Sequence, residues 1–173
     1  MQQQVAFFAS IAFSFAVWTI VTVRYIWPGL RSRARADALR PLLILHSFRF
    51  IGLAFIVPGV VSADLPAAFA DAAAYGDVVA AALALLAWLF IARPGGIVLA
   101  WMFSIWGSVD LVNAFYQAGR SGLVPGQFGA AYFLPTLIVP LLFITHALAV
   151  WILVQGKSRR LARPGGARPL EMA

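Results

Sequence analysis

Residues 75–117 read YGDVVAAALALLAWLFIARPGGIVLAWMFSIWGSVDLVNAFYQ. Two apolar runs, about 75–92 and about 97–117, each approach the roughly 20 residues an α-helix needs to cross a bilayer. Between them, Pro94 fixes one backbone angle while Gly95 and Gly96 tolerate unusual ones, which suits a tight turn. The two runs are therefore expected to pack as an antiparallel helical hairpin. Outward from this hairpin the pattern repeats, with further apolar runs at about 5–27, 41–61 and 130–155. The expected fold is an all-α integral membrane protein, a bundle of about five transmembrane helices.

Composition supports this class. Of 173 residues, 62% are apolar and only 11% charged, against roughly 25% charged in soluble chains. Five spans with short loops occupy nearly the whole chain, so residues 1–156 are expected to form one transmembrane domain and 157–173 a basic tail. No separate soluble catalytic domain fits. The absence of cysteine excludes structural disulfides, thiolate nucleophiles, cysteine-ligated iron–sulfur clusters and covalently attached haem.

The net charge of +7 is distributed as topology requires rather than as a nucleic-acid surface, so no nucleic-acid partner is expected. Arg24, Arg31, Arg33, Arg35 and Arg40 cluster around the first loop, Arg93 marks the third, and Lys157, Arg159, Arg160, Arg163 and Arg168 crowd the tail. The alternate connections carry Asp64, Asp71 and Asp77, with Arg120 the basic exception. All three basic segments face the cytoplasm only if an odd number of spans starts outside. The N-terminus is therefore expected outside and the C-terminus in the cytoplasm of a bacterial inner membrane, with anionic lipid as the partner of the basic segments. The opening MQQQ lacks the positive region of a cleaved signal, so the first run is read as a retained helix.

The connection from 62 to 77 is patterned. Asp64 is placed to cap a short helix beginning near Pro66, and Gly76 to end it, so a short amphipathic segment is expected at about 64–75 on the outer surface. Small residues recur four apart at Ala6, Ser10 and Ser14, and at Ala72, Gly76, Ala80 and Ala84. Such stripes allow helices to approach closely, within the chain or across a homo-oligomer or larger membrane complex. Ordinary alanine richness accounts for them equally well.

Function must come from the polar residues inside the spans. An ionised side chain near a helix centre costs about 2.5–3.5 kcal/mol on insertion scales, so each should meet a partner, a cavity or water. Arg49 and Asp110 are the two such charges. His46 lies on the face of Arg49, while Asp110, Asn113 and Gln117 form a stripe at three-and-four spacing, continued by Trp106 and Phe103. At a rise of about 1.5 Å per residue, Arg49 lies about 12 Å and Asp110 about 20 Å from the cytoplasmic ends, a gap an arginine side chain spans. An Arg49–Asp110 ion pair is the leading expected contact. Its structural alternative is a buried pair that fixes helix register.

By the same measure His46 and His146 lie at similar depths, which suits bis-histidine ligation of b-type haem if their helices are neighbours. The simpler reading makes them members of a hydrogen-bonded network. Pro135 and Pro140 are expected to kink the last helix, with Thr136 and Thr145 satisfying freed backbone groups. Trp106 lies too deep for the interfacial belt and is either a pocket wall or lipid-facing packing. No phosphate loop, zinc-type histidine pair, Gly-x-Ser-x-Gly elbow or paired carboxylates for acid–base work are present, so an enzyme is the class the residues favour least.

Three functions fit these residues. The favoured one is an intramembrane polar site between the second, fourth and fifth helices that binds or passes a small ligand or proton through Arg49, Asp110, Asn113, His46, His146, Trp106 and Gln117. The others are a haem-binding redox subunit ligated by His46 and His146, and an accessory subunit of a larger complex.

Overall fold

A computed structural model describes residues 1–155; the basic tail expected at 157–173 lies outside the described residues. The described chain is helical, with five helices long and apolar enough to cross a membrane. They are α1 (Gln2–Leu30), α2 (Arg35–Ile56), α3 (Ala67–Phe90), α4 (Gly96–Arg120) and α5 (Leu134–Gln155). Short connections join α1 to α2 and α3 to α4 at one end, where α5 also finishes. Longer connections, 57–66 and 121–133, lie at the other. The expected hairpin of α3 and α4 is present, and α3 packs still more extensively against α2. Gly95 turns it at φ +88°, where a side chain would be strained.

Helices α2 to α5 form the bundle, and α1 packs on its flank, mainly against α5. No residue from Gln2 to Val21 is buried, and in the Ala6–Ser10–Ser14 stripe Ala6 is exposed while Ser10 and Ser14 are half-buried. In α3, Ala80 and Ala84 are fully buried. The apolar interior falls into two clusters. One, near the short connections, is built on Leu39, Leu43, Ala84, Phe103 and Leu153. The other, near the long connections, is built on Phe55, Leu65, Phe69, Phe128 and Leu134. Between them lies a polar layer.

Three departures from regular α-helix occur in these helices, those in α2 and α5 beside that layer. In α1 and α5 a widened turn precedes a proline: Trp27 donates to Thr22 just before Pro28, and Val139 to Leu134 just before Pro140. Widening relieves the clash between the ring and the preceding turn. Thr136 and Thr145 bond back to Tyr132 O and Leu141 O, four residues earlier, rather than to the carbonyls that Pro135 and Pro140 free. In α2 the opposite happens, and Phe48–Ile56 tightens into a 3₁₀ run of nine residues. At three residues per turn, Arg49, Gly52 and Phe55 fall in one buried column.

The largest correction concerns the segment at 64–75. It is not a separate surface helix, because α3 runs unbroken from Ala67 to Phe90 and Gly76 lies inside it. Gly76 is a close-approach residue rather than a cap: a Cβ there would overlap the carboxylate of Asp110. Asp77, expected in a loop, is consequently carried into the bundle. Helix α2 also stops at Ile56, short of the expected 61, and residues 125–132 form a short 3₁₀ segment outside α5. The two long connections are clipped together there, with Ser62 N–H donating to Gln127 O and Ala130 N–H to Val60 O.

Candidate functional site

At the centre of the polar layer is Arg49, 1% exposed. Its Nε donates to Asp77 Oδ1 at 2.6 Å, and its Nη2 donates to Asp110 Oδ2. The expected Arg49–Asp110 contact therefore exists, joined by a second acid that composition alone assigned to a loop. One guanidinium tied to carboxylates on α3 and α4 fixes three helices in register, since each bond is charge-assisted and directional.

Three glycines make this geometry possible. A Cβ at Gly52 on α2 would strike Asp77, and one at Gly76 on α3 would strike Asp110. At Gly107 on α4 it would lie 2.7 Å from His146 Cε1 and 3.2 Å from Arg49 Nη1. Each glycine thus vacates the space that a polar side chain of the neighbouring helix fills.

Behind the guanidinium stand the two histidines, with ring centroids 5.4 Å apart in edge contact and Phe103 packed against both. Thr145 Oγ1 donates to Leu141 O at 2.7 Å, so it accepts from His46 Nε2–H at 3.1 Å. His146 Nε2 lies 3.0 Å from Ser104 O and 3.1 Å from Ser108 Oγ; a carbonyl only accepts, so this nitrogen also carries its proton. Both Nδ1 atoms are thereby left as bare acceptors without a protein partner, as Arg49 Nη1 is left without an acceptor.

The expected proximity of His46 and His146 is correct, but the haem reading built on it finds no slot. Ligation needs an imidazole on each face of a flat macrocycle, whereas these rings touch each other and commit Nε2 to protein. The protein purified from haem-replete cells is expected to show no Soret band. A band that shifts on dithionite reduction and vanishes in His46→Ala would refute that geometry.

On the other side of Arg49 a cavity of about 330 Å³ opens towards the long connections. Arg49, Asp77 and Asp110 form its polar end, and seven phenylalanines, Phe7, Phe8, Phe15, Phe55, Phe69, Phe115 and Phe128, dominate its walls. Phe128 closes the far end, stacked on Phe7 at 5.5 Å and edge-on to Phe55 and Phe69. Pro135, Val139 and Leu142 line it where α5 widens, so a widened turn, where a kink was expected, borders a cavity.

Asn113 and Gln117, expected in the site, are only half-buried, neither lines the cavity, and no hydrogen bond ties them to the cluster. Their spacing placed them on the stripe of Asp110, but the cavity meets α4 on the flank of Leu111, Ala114 and Ala118. Trp106 is 43% exposed, and its Nε1 donates to Gly76 O at 3.2 Å, clamping α4 to α3 from outside the cavity. Sequence reasoning missed Asp77 and the aromatic face of α1. The stripe of Gly76, Ala80 and Ala84, which already placed Gly76 in a helix, carried the signal for Asp77.

The sequence matches the profile of a family described as a domain of unknown function (DUF8737) over residues 6–154. No curated protein and no solved structure matches it.

Proposed function

The chain belongs to the DUF8737 family, a membership that carries no activity with it, and from its buried cluster we propose a membrane-embedded binding protein for small lipophilic cations. The ligand would sit in the phenylalanine-lined cavity with its charge against Asp77 and Asp110. Five long apolar helices support membrane insertion, as do outward-facing residues such as Phe13, Ile105, Val109 and Val112, which a soluble protein would cover. The arginine-rich short-connection end supports a cytoplasmic orientation for that end, and an N-terminus on the opposite side of an inner membrane.

The observation that carries the ligand class is the charge balance of the triad. One guanidinium faces two carboxylates, so the ionised cluster holds one uncompensated negative charge beside an apolar cavity. A purely structural pair would be neutral. Arg49 has also spent Nε and Nη2 on these acids, and its remaining Nη1 points to Gly107 and His146, which do not line the cavity. An anionic ligand would have to compete with two carboxylates already held on the same guanidinium, whereas a cation meets a carboxylate and aromatic faces that attract positive charge.

The test compares phenyltrimethylammonium with tert-butylbenzene, its neutral isostere, on the protein in lipid nanodiscs with empty nanodiscs as the blank. The cation is expected to bind at least about tenfold more tightly, a difference of about 1.4 kcal/mol. Equal or preferential binding of the neutral isostere would refute the reading.

A further inference from the structure

We infer that the pocket exchanges ligand for a proton, with cation and proton competing for the single negative charge shared by Asp77 and Asp110. The inference rests on the cation-binding reading above and extends it from binding to coupling. Two carboxylates lie on one guanidinium, Asp77 through Nε and Asp110 through Nη2, with their side chains only 17% and 7% exposed. Arginine satisfies one negative charge. The second lies at the polar end of a phenylalanine-lined cavity, where an uncompensated charge is strongly disfavoured. It can be neutralised by a proton on the carboxylate pair or by a cation in the cavity, and not by both at once.

The groups facing the pair from each packed element allow no third source of compensation. From α2 these are Arg49 and His46, and from α5 His146. Helix α1 contributes only apolar cavity residues, Phe7, Phe8, Ile11 and Phe15. The bare His146 Nδ1 and Arg49 Nη1 both border the space left by Gly107, which places the imidazole beside the guanidinium. A proton placed there would face a fixed positive charge, so the exchanged proton belongs to the carboxylates. The balance is simple: for each cation that enters, one O–H bond of the shared carboxylic acid breaks and its proton leaves to water. No electron moves.

The experiment adds phenyltrimethylammonium, which has no ionisable proton of its own, to purified protein in a weakly buffered solution with a pH indicator. Bound cation is measured in parallel. At pH values low enough to protonate the pair, release of about one proton per bound cation is expected, with affinity falling about tenfold for each unit the pH is lowered, as competition at one site requires. Asp77→Asn, which keeps the shape and leaves a neutral Arg49–Asp110 pair, is expected to lose both the release and the preference for the cation. Cation-selective binding without proton release, at constant affinity across pH, would overturn the exchange and leave the pocket assignment standing. Failure of the wild type to prefer the cation would overturn both. Release that disappears in His46→Gln or His146→Gln at unchanged binding would move the proton to the imidazoles and overturn its assignment to the carboxylates.

Discussion

Arg49→Met is expected to remove almost all folded, monodisperse protein, and Arg49→Met combined with Asp77→Asn and Asp110→Asn to restore most of it. Methionine approximates the length and apolar bulk of the arginine stem. The single variant therefore keeps most of the packing along the Arg49–Gly52–Phe55 column but strands two carboxylates in the interior. Breaking a buried ion pair from one side costs about 3–5 kcal/mol, because the remaining charge loses its partner without regaining water. Here two acids lose the same partner. That approaches the whole stability of a typical domain, about 5–15 kcal/mol. In the triple variant the carboxylates become amides, which carry no charge and can bond to each other or to backbone groups nearby. Fluorescence-detected size-exclusion chromatography followed by a thermal ramp separates the outcomes. A single variant as stable as the wild type would mean that the three charges are not mutually dependent. A triple variant as poor as the single would mean that arginine acts through its shape rather than its charge.

The same cluster shows what the sequence could and could not disclose. The number of long apolar helices, the hairpin at Pro94 to Gly96 and the meeting of Arg49 with Asp110 were legible, because each follows from period, length and the cost of burying charge. The closeness of His46 and His146 followed from depth alone. Asp77 was not legible by the same route. Hydropathy averages over a window, and Asp77 stands where the apolar run of α3 begins, among Asp64 and Asp71, so it reads as the last acid of a loop. The ambiguity was concentrated in Gly76. A glycine in a helical pattern can end the helix or admit a neighbour, and only the identity of that neighbour, Asp110, decides between them. The 3₁₀ run of α2 was hidden for a related reason. Nothing in FRFIGLAFI favours three residues per turn over 3.6, and the tight column is set by what Gly52 must let past.

Gly76→Ala is consequently expected to be among the most damaging single-methyl changes in the protein. At an unconstrained helix position the substitution stabilises by about 0.4–1 kcal/mol through the unfolded chain. At Gly76 the added methyl would occupy the position of the Asp110 carboxylate, which cannot simply step aside because Arg49 holds its other oxygen. Retreat of the whole helix is blocked as well. Ala80 and Ala84 follow on α3, and Ala100 and Phe103 on α4, all fully buried. The structure must then either part α3 from α4, losing that packing, or rotate Asp110 off the guanidinium. Overpacking costs about 1–3 kcal/mol, and a displaced buried charge adds to it. Gly29, which has nothing within 4 Å of an added Cβ, supplies the control: Gly29→Ala should match or exceed the wild type in the same thermal ramp. If Gly76→Ala folds but retains the bundle by rotating Asp110, it should still lose its preference for phenyltrimethylammonium over tert-butylbenzene. Wild-type stability together with wild-type cation preference would mean that Asp110 does not need the space Gly76 leaves, and the triad would not be the arrangement that holds the charge.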